Sequence, residues 1–236
     1  MLLSTARWPE VEAGPRRLLV VPVGSLEQHG PHLPLDTDTR IAVAVAARVC
    51  AGRPGTGLGP PVAIGASGEH ADFPGTLSIG HVALSALLVE LGRHASLHWP
   101  ALLLVNGHGG NVAAIRDALA TLRAEGRECA VWHAGVRPSM LAAAGLALVP
   151  DAHAGRVETS VMLALAPGDV RLDLAAAGET RPLAEIMPAM QAGGVREVSA
   201  SGVLGDPAGA SAVEGEALLA LLAADLAETI DGLAGS

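Results

Sequence analysis

The sequence predicts an α/β protein, a three-layer α/β/α sandwich with a mostly parallel sheet. Two observations predict it: short continuous apolar runs recur along the chain, and segments with helical spacing of apolar residues separate them. Strands buried on both faces of a parallel sheet have such continuous runs, and strand–helix alternation is typical of three-layer domains. A length of 236 residues suits one domain, so we expect residues 1–236 to form a single unit.

Four apolar runs are the predicted strands, and ALLLV is the clearest of them. They cover residues 18–24, 61–66, 101–105 and 129–134. The predicted helices between and after them cover residues 39–52, 82–97, 112–126, 155–166 and 210–234. Asn111 is the expected N-cap of the third helix, which Gly126 ends. Residues 167–209 are richer in Pro and Gly, and we expect either a loop excursion over the active site or an oligomer contact there.

Composition excludes several classes of protein. The net charge is −9, every basic residue is Arg and aromatic residues make up 2%, which argues against nucleic-acid binding. The chain lacks a secretory signal pattern and an apolar run of membrane-spanning length, so we expect a cytoplasmic protein without a membrane partner. Cys50 and Cys129 stand alone in apolar contexts, as buried reduced thiols do. A hydrophobic fraction of 50% with only 17% charged residues favours a homo-oligomer.

The polar segments follow the predicted strands. In open α/β sheets, ligands bind outside the carboxyl ends of the strands. His, Asp and Glu concentrate in the segments at those ends, which are residues 24–38, 65–76, 106–111 and 151–160. We therefore expect the functional site to form where these four segments meet.

The first of these segments, GSLEQHGPHLPLDTD, carries the most chemistry. Glu27, His29 and Asp38 follow a buried strand directly, and such a cluster is costly to fold unless its charges meet a cation or water. Glu27 and His29 are two residues apart, so on extended backbone they face the same side. The alternative is a solvated surface loop in which Thr37 or Asp38 caps the next helix.

The other three segments add single candidates. His108 lies in the glycine-rich turn NGHGGN, which lacks the Lys and Ser or Thr of a phosphate-binding loop, so a ligand is the better interpretation of its imidazole. Glu158 falls in the first turn of a predicted helix, where a carboxylate is also stabilised by the helix dipole without any function. Glu69 and His70 belong to GEHADFPGTLS, which has the composition of a substrate-facing loop.

Together the segments resemble the creatininase family of amidohydrolases. The resemblance runs from about residue 18 to the C-terminus, and its motifs are VPVGSLEQHGPHLPLDTDT, GEHADFPGTLS, VNGHGGN, HAGRVETSVML and SGVLGDPAGAS. It implies a three-layer α/β/α fold, a dinuclear site for divalent transition metals and a ring-like homo-oligomer, a hexamer or an octamer. Carboxylate and imidazole ligands without thiolate suit Zn²⁺, Fe²⁺ or Mn²⁺.

Carried onto this sequence, the resemblance implies that Glu27 and His29 each serve one metal ion and that Asp38 bridges both. His108 completes the coordination of the Glu27 ion, and His153 matches the proton-transfer histidine of the family. Creatininases proper have a ligand Glu where this chain has Gly110. We therefore predict that Glu158 supplies the missing ligand and that creatinine is not the substrate.

The NGHGGN variant is most similar to family members that trim a radical-modified ribosomal peptide and release its C-terminal two-residue core. A modified peptide is therefore the expected substrate, with His32, Glu69 and His70 as candidate substrate contacts. Two alternatives stay open. One is a cyclic amidohydrolase or deformylase acting on a small nitrogen compound, and the other is a non-catalytic metal-binding protein on the same fold.

Overall fold

The computed structural model describes residues 1–234, and its centre is a four-stranded parallel sheet. The strands, in the order β2-β1-β3-β4 across the sheet, are β1 (Leu18–Val23), β2 (Thr56–Leu58), β3 (Ala101–Asn106) and β4 (Glu128–His133). β1 and β3 pair over their whole length, from Leu18 opposite Ala101 to Val23 opposite Asn106. The carboxyl ends of the three long strands therefore lie side by side at one edge.

Helices follow the strands and cover both faces of the sheet. They are α1 (Trp8–Ala13), α2 (Thr37–Cys50), α3 (Gly80–Ala95), α4 (Val112–Ala124), α5 (Pro138–Ala143), α6 (Arg156–Leu165), α7 (Leu183–Gly193), α8 (Val195–Val198) and α9 (Ala212–Ala234). Short 3₁₀ turns cover Gly68–His70, Gly109–Asn111, Pro167–Asp169 and Leu172–Leu174. Among residues 1–234, no helix is long and apolar enough to cross a membrane.

The two faces of the sheet bury separate cores because successive side chains of a strand point to opposite sides. Val20 of β1 packs with α2, α6 and α9, whereas Val21 packs with α3 and α4. Both residues are buried. This double burial explains why β1 has a continuous apolar run, and it confirms the predicted three-layer α/β/α fold.

The predicted strand at 61–66 is wrong. The strand at this place is β2, which pairs with Leu18–Val20 of β1, and Val62 makes only an isolated bridge with Val23. Two consecutive prolines at positions 60 and 61 lack the backbone N–H that a ladder requires. β2 itself is only three residues long and contains a glycine, so the sequence offered no apolar run to mark it.

The five predicted helices are confirmed as α2, α3, α4, α6 and α9, with ends displaced by up to two residues. Asn111 stands at the predicted N-cap position of α4, but its side chain makes no capping hydrogen bond. Its amide donates to Gly24 O at 2.9 Å and its Oδ1 accepts the N–H of Ala66 at 2.8 Å. The side chain of Asn111 therefore connects its own loop to the two loops that contain Gly24 and Ala66, and it leaves the first turn of α4 without a side-chain cap.

Candidate metal centre

The four polar segments meet at the carboxyl edge of the sheet, beside a cavity of about 610 Å³. The site begins with Asp38, a buried residue in the first turn of α2. Its Oδ1 lies 3.1 Å from His29 Nε2, and its Oδ2 lies 3.1 Å from His108 Nδ1. Burial raises the pKa of Asp38, but His29 and His108 together hold it well below its usual range. Asp38 is thus an ionised carboxylate between two imidazoles, and it does not cap α2.

Glu27 is fully buried, and neither of its carboxylate oxygens has a hydrogen-bond donor among the residues that the structure describes. The neighbouring nitrogens are His108 Nε2 at 3.0 Å from Oε2 and His70 Nε2 at 3.4 Å from Oε1. Neither contact has hydrogen-bond geometry. A buried carboxylate without a donor is costly, so the donor set around Glu27 fits a cation.

Glu158 lies in the first turn of α6 and approaches the same cluster from the other side. Its Oε2 accepts the N–H of Ala154 at 2.6 Å and lies 4.0 Å from His29 Nε2. Burial raises the pKa of Glu158 to about 7, with Asp38 and Asp151 adding to the rise and His29 opposing it. A carboxylate held near other carboxylates in this way is destabilised unless a positive charge lies between them.

These side chains form two triads that could each hold a metal ion, and they share Asp38. One triad is Glu27, Asp38 and His108, and the other is His29, Asp38 and Glu158. In each, one ligand atom per residue lies within 4.8 Å of the others. All five side chains named as ligands by the sequence are therefore brought together, in nitrogen and oxygen sets that suit Zn²⁺, Mn²⁺ or Fe²⁺.

Backbone carbonyls orient two of the histidines. His29 Nδ1 donates to Glu27 O at 3.1 Å, so Nε2 is the ring nitrogen that faces Asp38 and Glu158 and would ligate a metal ion after losing its hydrogen. Burial alone lowers the pKa of His29, but the Asp38 carboxylate and its neighbours raise it to about 10. That rise reflects how strongly this point of the site favours positive charge.

His153 is oriented in the same way. Its Nε2 donates to Gln28 O at 2.7 Å, so Nδ1 carries the lone pair and lies 3.8 Å from Glu27 Oε1. Burial, together with His29 and His70, lowers the pKa of His153 well below its usual value. Its ring lines the cavity in the neutral form, with the lone pair of Nδ1 available to a hydrogen-bond donor.

The three candidate substrate contacts occupy different positions. Glu69 and His70 line the cavity, whereas His32 is absent from the lining. His32 Nε2 lies within hydrogen-bond distance of Thr159 Oγ1, at 2.9 Å, and its ring is buried. In this position His32 contacts α6 through Thr159 and does not line the cavity.

Gly110 is the place where the chain departs from creatininases. A Cβ built there would lie 2.3 Å from Glu69 Oε1, 2.4 Å from Ala66 O and 2.4 Å from His108 Nε2. The carboxylate of Glu69 thus uses the space that a side chain at position 110 would need. Gly109, next to it, differs, because a Cβ there would meet open space.

Sequence reasoning missed several residues of this site. His133 is one of them, because it lines the cavity and its Nδ1 lies 3.1 Å from Asn106 Nδ2. Its position at the last residue of β4 was the available signal. The residues from 167 to 209 also contribute, because Leu183, Met187 and Met190 form an apolar wall of the cavity. Residues 167–209 thus lie against the site, as in the first of the two predictions, although the part that lines the cavity includes the helix α7.

Comparison with known proteins agrees with this fold and site. The family model described as "Creatininase: Creatinine amidohydrolase" matches residues 4–230. A mycofactocin precursor peptide peptidase from Mycolicibacterium smegmatis is 53% identical over 218 residues, covering 90% of this chain and 84% of that protein. A crystal structure of creatinine amidohydrolase superposes with a TM-score of 0.78 at 30% identity, covering 97% of this chain and 96% of the other. A creatininase mutant described as "Zn-Zn type" has a TM-score of 0.76 at 28% identity, with the same coverage of 97% and 96%.

The buried carboxylates and histidines at the carboxyl edge of this α/β/α sandwich form the kind of site that metal-dependent hydrolases use. Within that class, the chain belongs to the creatininase family. It is accordingly a hydrolase of amide bonds, as the resemblance of its motifs implied.

Proposed function

We propose that this hydrolase is a peptidase with a dinuclear divalent-metal centre, and that it releases the modified C-terminal two-residue core of the mycofactocin precursor peptide. The observation that supports it most is the pair of donor triads sharing Asp38 beside a large cavity. The 53% identity to a relative named for that substrate supports the choice of peptide.

The proposed ligands follow from the triads. Glu27, Asp38 and His108 hold one ion, and His29, Asp38 and Glu158 hold the other. Zn²⁺, Fe²⁺ and Mn²⁺ all suit these ligands, since neither Cys50 nor Cys129 lines the cavity. Glu158 supplies the carboxylate that Gly110 does not.

Held by these ligands, two such ions would supply Lewis-acid chemistry, which lowers the pKa of a water molecule and polarises the amide carbonyl. The remaining task belongs to His153, whose Nδ1 faces Glu27 with a free lone pair. Nδ1 takes a proton from the attacking water and passes it to the amide nitrogen, so the C–N bond breaks as an N–H bond forms. Gln28 O holds the opposite ring nitrogen and keeps the imidazole in position throughout.

The cavity favours a peptide over a small cyclic amide. Its volume of about 610 Å³ is within the range of pockets that enclose drug-sized ligands. Its lining includes the apolar residues Val136, Leu183 and Met187 together with three of the proposed ligands, which are Asp38, His108 and Glu158. An apolar peptide end fits such a lining better than a compact, strongly polar ring does.

Elemental analysis and a substrate comparison test the proposal. We expect close to two transition-metal ions per chain, and faster hydrolysis of the modified peptide than of a lactam or a formamide. Faster hydrolysis of the small amides would favour a cyclic amidohydrolase or deformylase instead. Protein without metal that does not rebind it would indicate a non-catalytic protein on the same fold.

We also propose a cytoplasmic homo-oligomer, a hexamer or an octamer. Val82 of α3 is 80% exposed and Leu97 just after it is 67% exposed, so this side of the molecule offers apolar surface to another subunit. Both cysteines are free and buried, which is compatible with a reducing compartment. Native mass spectrometry tests the assembly, and a monomer at micromolar concentration would contradict it.

A further inference from the structure

Gln28 lies between two proposed metal ligands in the sequence, yet its side chain contacts neither of them. The carboxamide is buried, with Oε1 accepting the N–H of Gly30 at 2.8 Å and Nε2 donating to Gly202 O at 3.1 Å. One end must accept and the other must donate, so these two backbone partners settle which end is the nitrogen.

The amide nitrogen has two hydrogens and three polar neighbours. Besides Gly202 O, they are His70 Nδ1 at 2.8 Å and His153 Nε2 at 3.0 Å. His153 Nε2 is itself a donor, because it gives its hydrogen to Gln28 O. The second amide hydrogen therefore goes to His70 Nδ1, which must carry a lone pair.

A neutral imidazole has one protonated nitrogen, so His70 carries its hydrogen on Nε2. That atom lies 3.4 Å from Glu27 Oε1. His29 and His153 differ from His70, because each donates to a backbone carbonyl and leaves its other ring nitrogen facing the site as a possible metal ligand or base. The backbone partners thus distinguish these two histidines from His70, whose Nε2–H faces Glu27.

We propose that Gln28 is a positioning residue that holds His70 in the Nε2–H form, so that His70 orients the Glu27 carboxylate and is not a metal ligand. The Nε2–H of His70 then faces Oε1 across the 3.4 Å contact, and Oε2 remains for the ion shared with Asp38 and His108. The inference rests on the proposed metal centre, in which a shift of either side chain would close this contact to a hydrogen bond. Neighbours of this kind orient ligands, and their loss typically lowers metal affinity by roughly 10–100-fold.

Gly202 gives the SGVLG motif, which has no part in the proposed reaction, a structural role beside Gln28. It belongs to the SGVLG segment, has a φ of +83°, and a Cβ there would lie 1.9 Å from Gln28 Oε1. Only glycine lets the backbone of this loop approach the carboxamide of Gln28 so closely. The Gly202 carbonyl accepts one of the two amide hydrogens, which leaves the other for His70 Nδ1.

The first test compares His70→Gln with His70→Asn in the full chain, as metal-free protein titrated with Zn²⁺ against a chromophoric chelator. The amide nitrogen of Gln replaces imidazole Nε2, whereas an Asn side chain reaches only to the Nδ1 position. We expect His70→Gln to keep an affinity close to that of the parent. His70→Asn should weaken Zn²⁺ binding by roughly 10–100-fold.

The second test adds Gln28→Glu, whose ionised carboxylate accepts but does not donate. We expect it to lower Zn²⁺ affinity in the parent and to have little effect in the His70→Gln background, where the donor no longer depends on a tautomer. An equal loss in both backgrounds would show that Gln28 does not act through His70. Thermal unfolding of each metal-free variant checks that the fold is intact.

The matched controls are His81→Gln and His81→Asn, because His81 is a half-exposed histidine that pairs with Asp117 on the helical surface. Neither control should change Zn²⁺ affinity. Equal affinities for His70→Gln and His70→Asn would overturn this inference alone. A parent protein that binds no Zn²⁺ would overturn the metal centre itself, and this inference with it.

Discussion

Carboxylates of the metal centre and carboxylates of the outer helices are neutralised in different ways. On the surface, Glu216 pairs with Arg48 at 2.8 Å and Glu214 pairs with Arg156 at 2.7 Å. At the carboxyl edge of the sheet, within residues 1–234, the ion-pair contacts of Glu27, Asp38 and Glu158 are all to histidines.

This difference shows that carboxylates can be neutralised within the protein or kept available for a cation, depending on whether Arg or His lies beside them. An Arg–carboxylate pair is complete by itself and contributes little when exposed, about 0–1 kcal/mol. An imidazole beside a buried carboxylate supplies a full charge only when protonated, so the inner cluster retains an excess of acceptors. The surface is satisfied without a ligand, whereas the inner cluster is suited to cations. The predictions below test that contrast.

The largest expected effect is that of Asp38→Ala, which removes the residue shared by both triads. We expect this variant to lose bound metal and measurable hydrolysis. Asp231→Ala is the control, because it removes an exposed carboxylate that pairs with Arg53. Elemental analysis and peptide turnover measure both variants, and full activity of Asp38→Ala in chelated buffer would sink the two-metal proposal.

Replacing His153 separates proton transfer from metal binding. Because its lone pair faces Glu27 while the two triads do not require it, we expect His153→Ala to retain metal. Turnover should fall roughly 10²–10⁴-fold, the usual size of a lost acid–base group. Loss of metal from this variant would make His153 a ligand, since Glu27, His29 and His153 also form a possible donor group.

The neighbouring glycines of NGHGGN should respond differently to the same change. A Cβ at position 110 would press on Glu69, Ala66 and His108, so we expect Gly110→Ala to lower the free energy of unfolding by about 1–3 kcal/mol and to reduce turnover. Gly109→Ala meets open space and should be tolerated. Denaturant unfolding and peptide turnover of the two variants test this difference. Equal stability and equal turnover would contradict the close packing around Gly110.

The last prediction is a pH dependence of stability at Asp151, which accepts the N–H of Val157 at 3.2 Å. Burial raises its pKa from 3.8 to about 6. The folded chain therefore holds this proton longer than the unfolded chain, and stability is lost as pH rises from about 4 to 6. The shift corresponds to about 3 kcal/mol at most.

Asp151→Asn keeps an acceptor for Val157 and has no charge to bury. We expect the metal-free variant to be more stable than its parent above pH 6 and nearly equal at pH 4. Denaturant unfolding across this range measures the difference. A difference that does not grow with pH would show that Asp151 is ionised without penalty in the folded chain.

Prediction from sequence succeeded where one local signal was sufficient. β1 and β3 are continuous apolar runs because both of their faces are covered, and α4 and α9 have apolar stripes that follow the helical period. Prediction failed at β2, where three residues and a glycine form a strand only because β1 offers them a paired edge. At Asn111 the predicted N-cap position is right, but the side-chain amide bonds to loops distant in sequence and not to its own helix.

The sequence by itself determined the layer architecture, the carboxyl-edge location of the site and the residue types within it, because apolar periodicity and residue chemistry are local properties. Only the tertiary structure decided that Asp38 lies between two triads, that Glu69 fills the space beside Gly110, and that Gln28 bonds to His70. Those facts join residues far apart in the sequence, as with Gln28 and His70, which are 42 positions apart. Distances of that kind depend on how the strands pair and the loops meet, which no local pattern encodes.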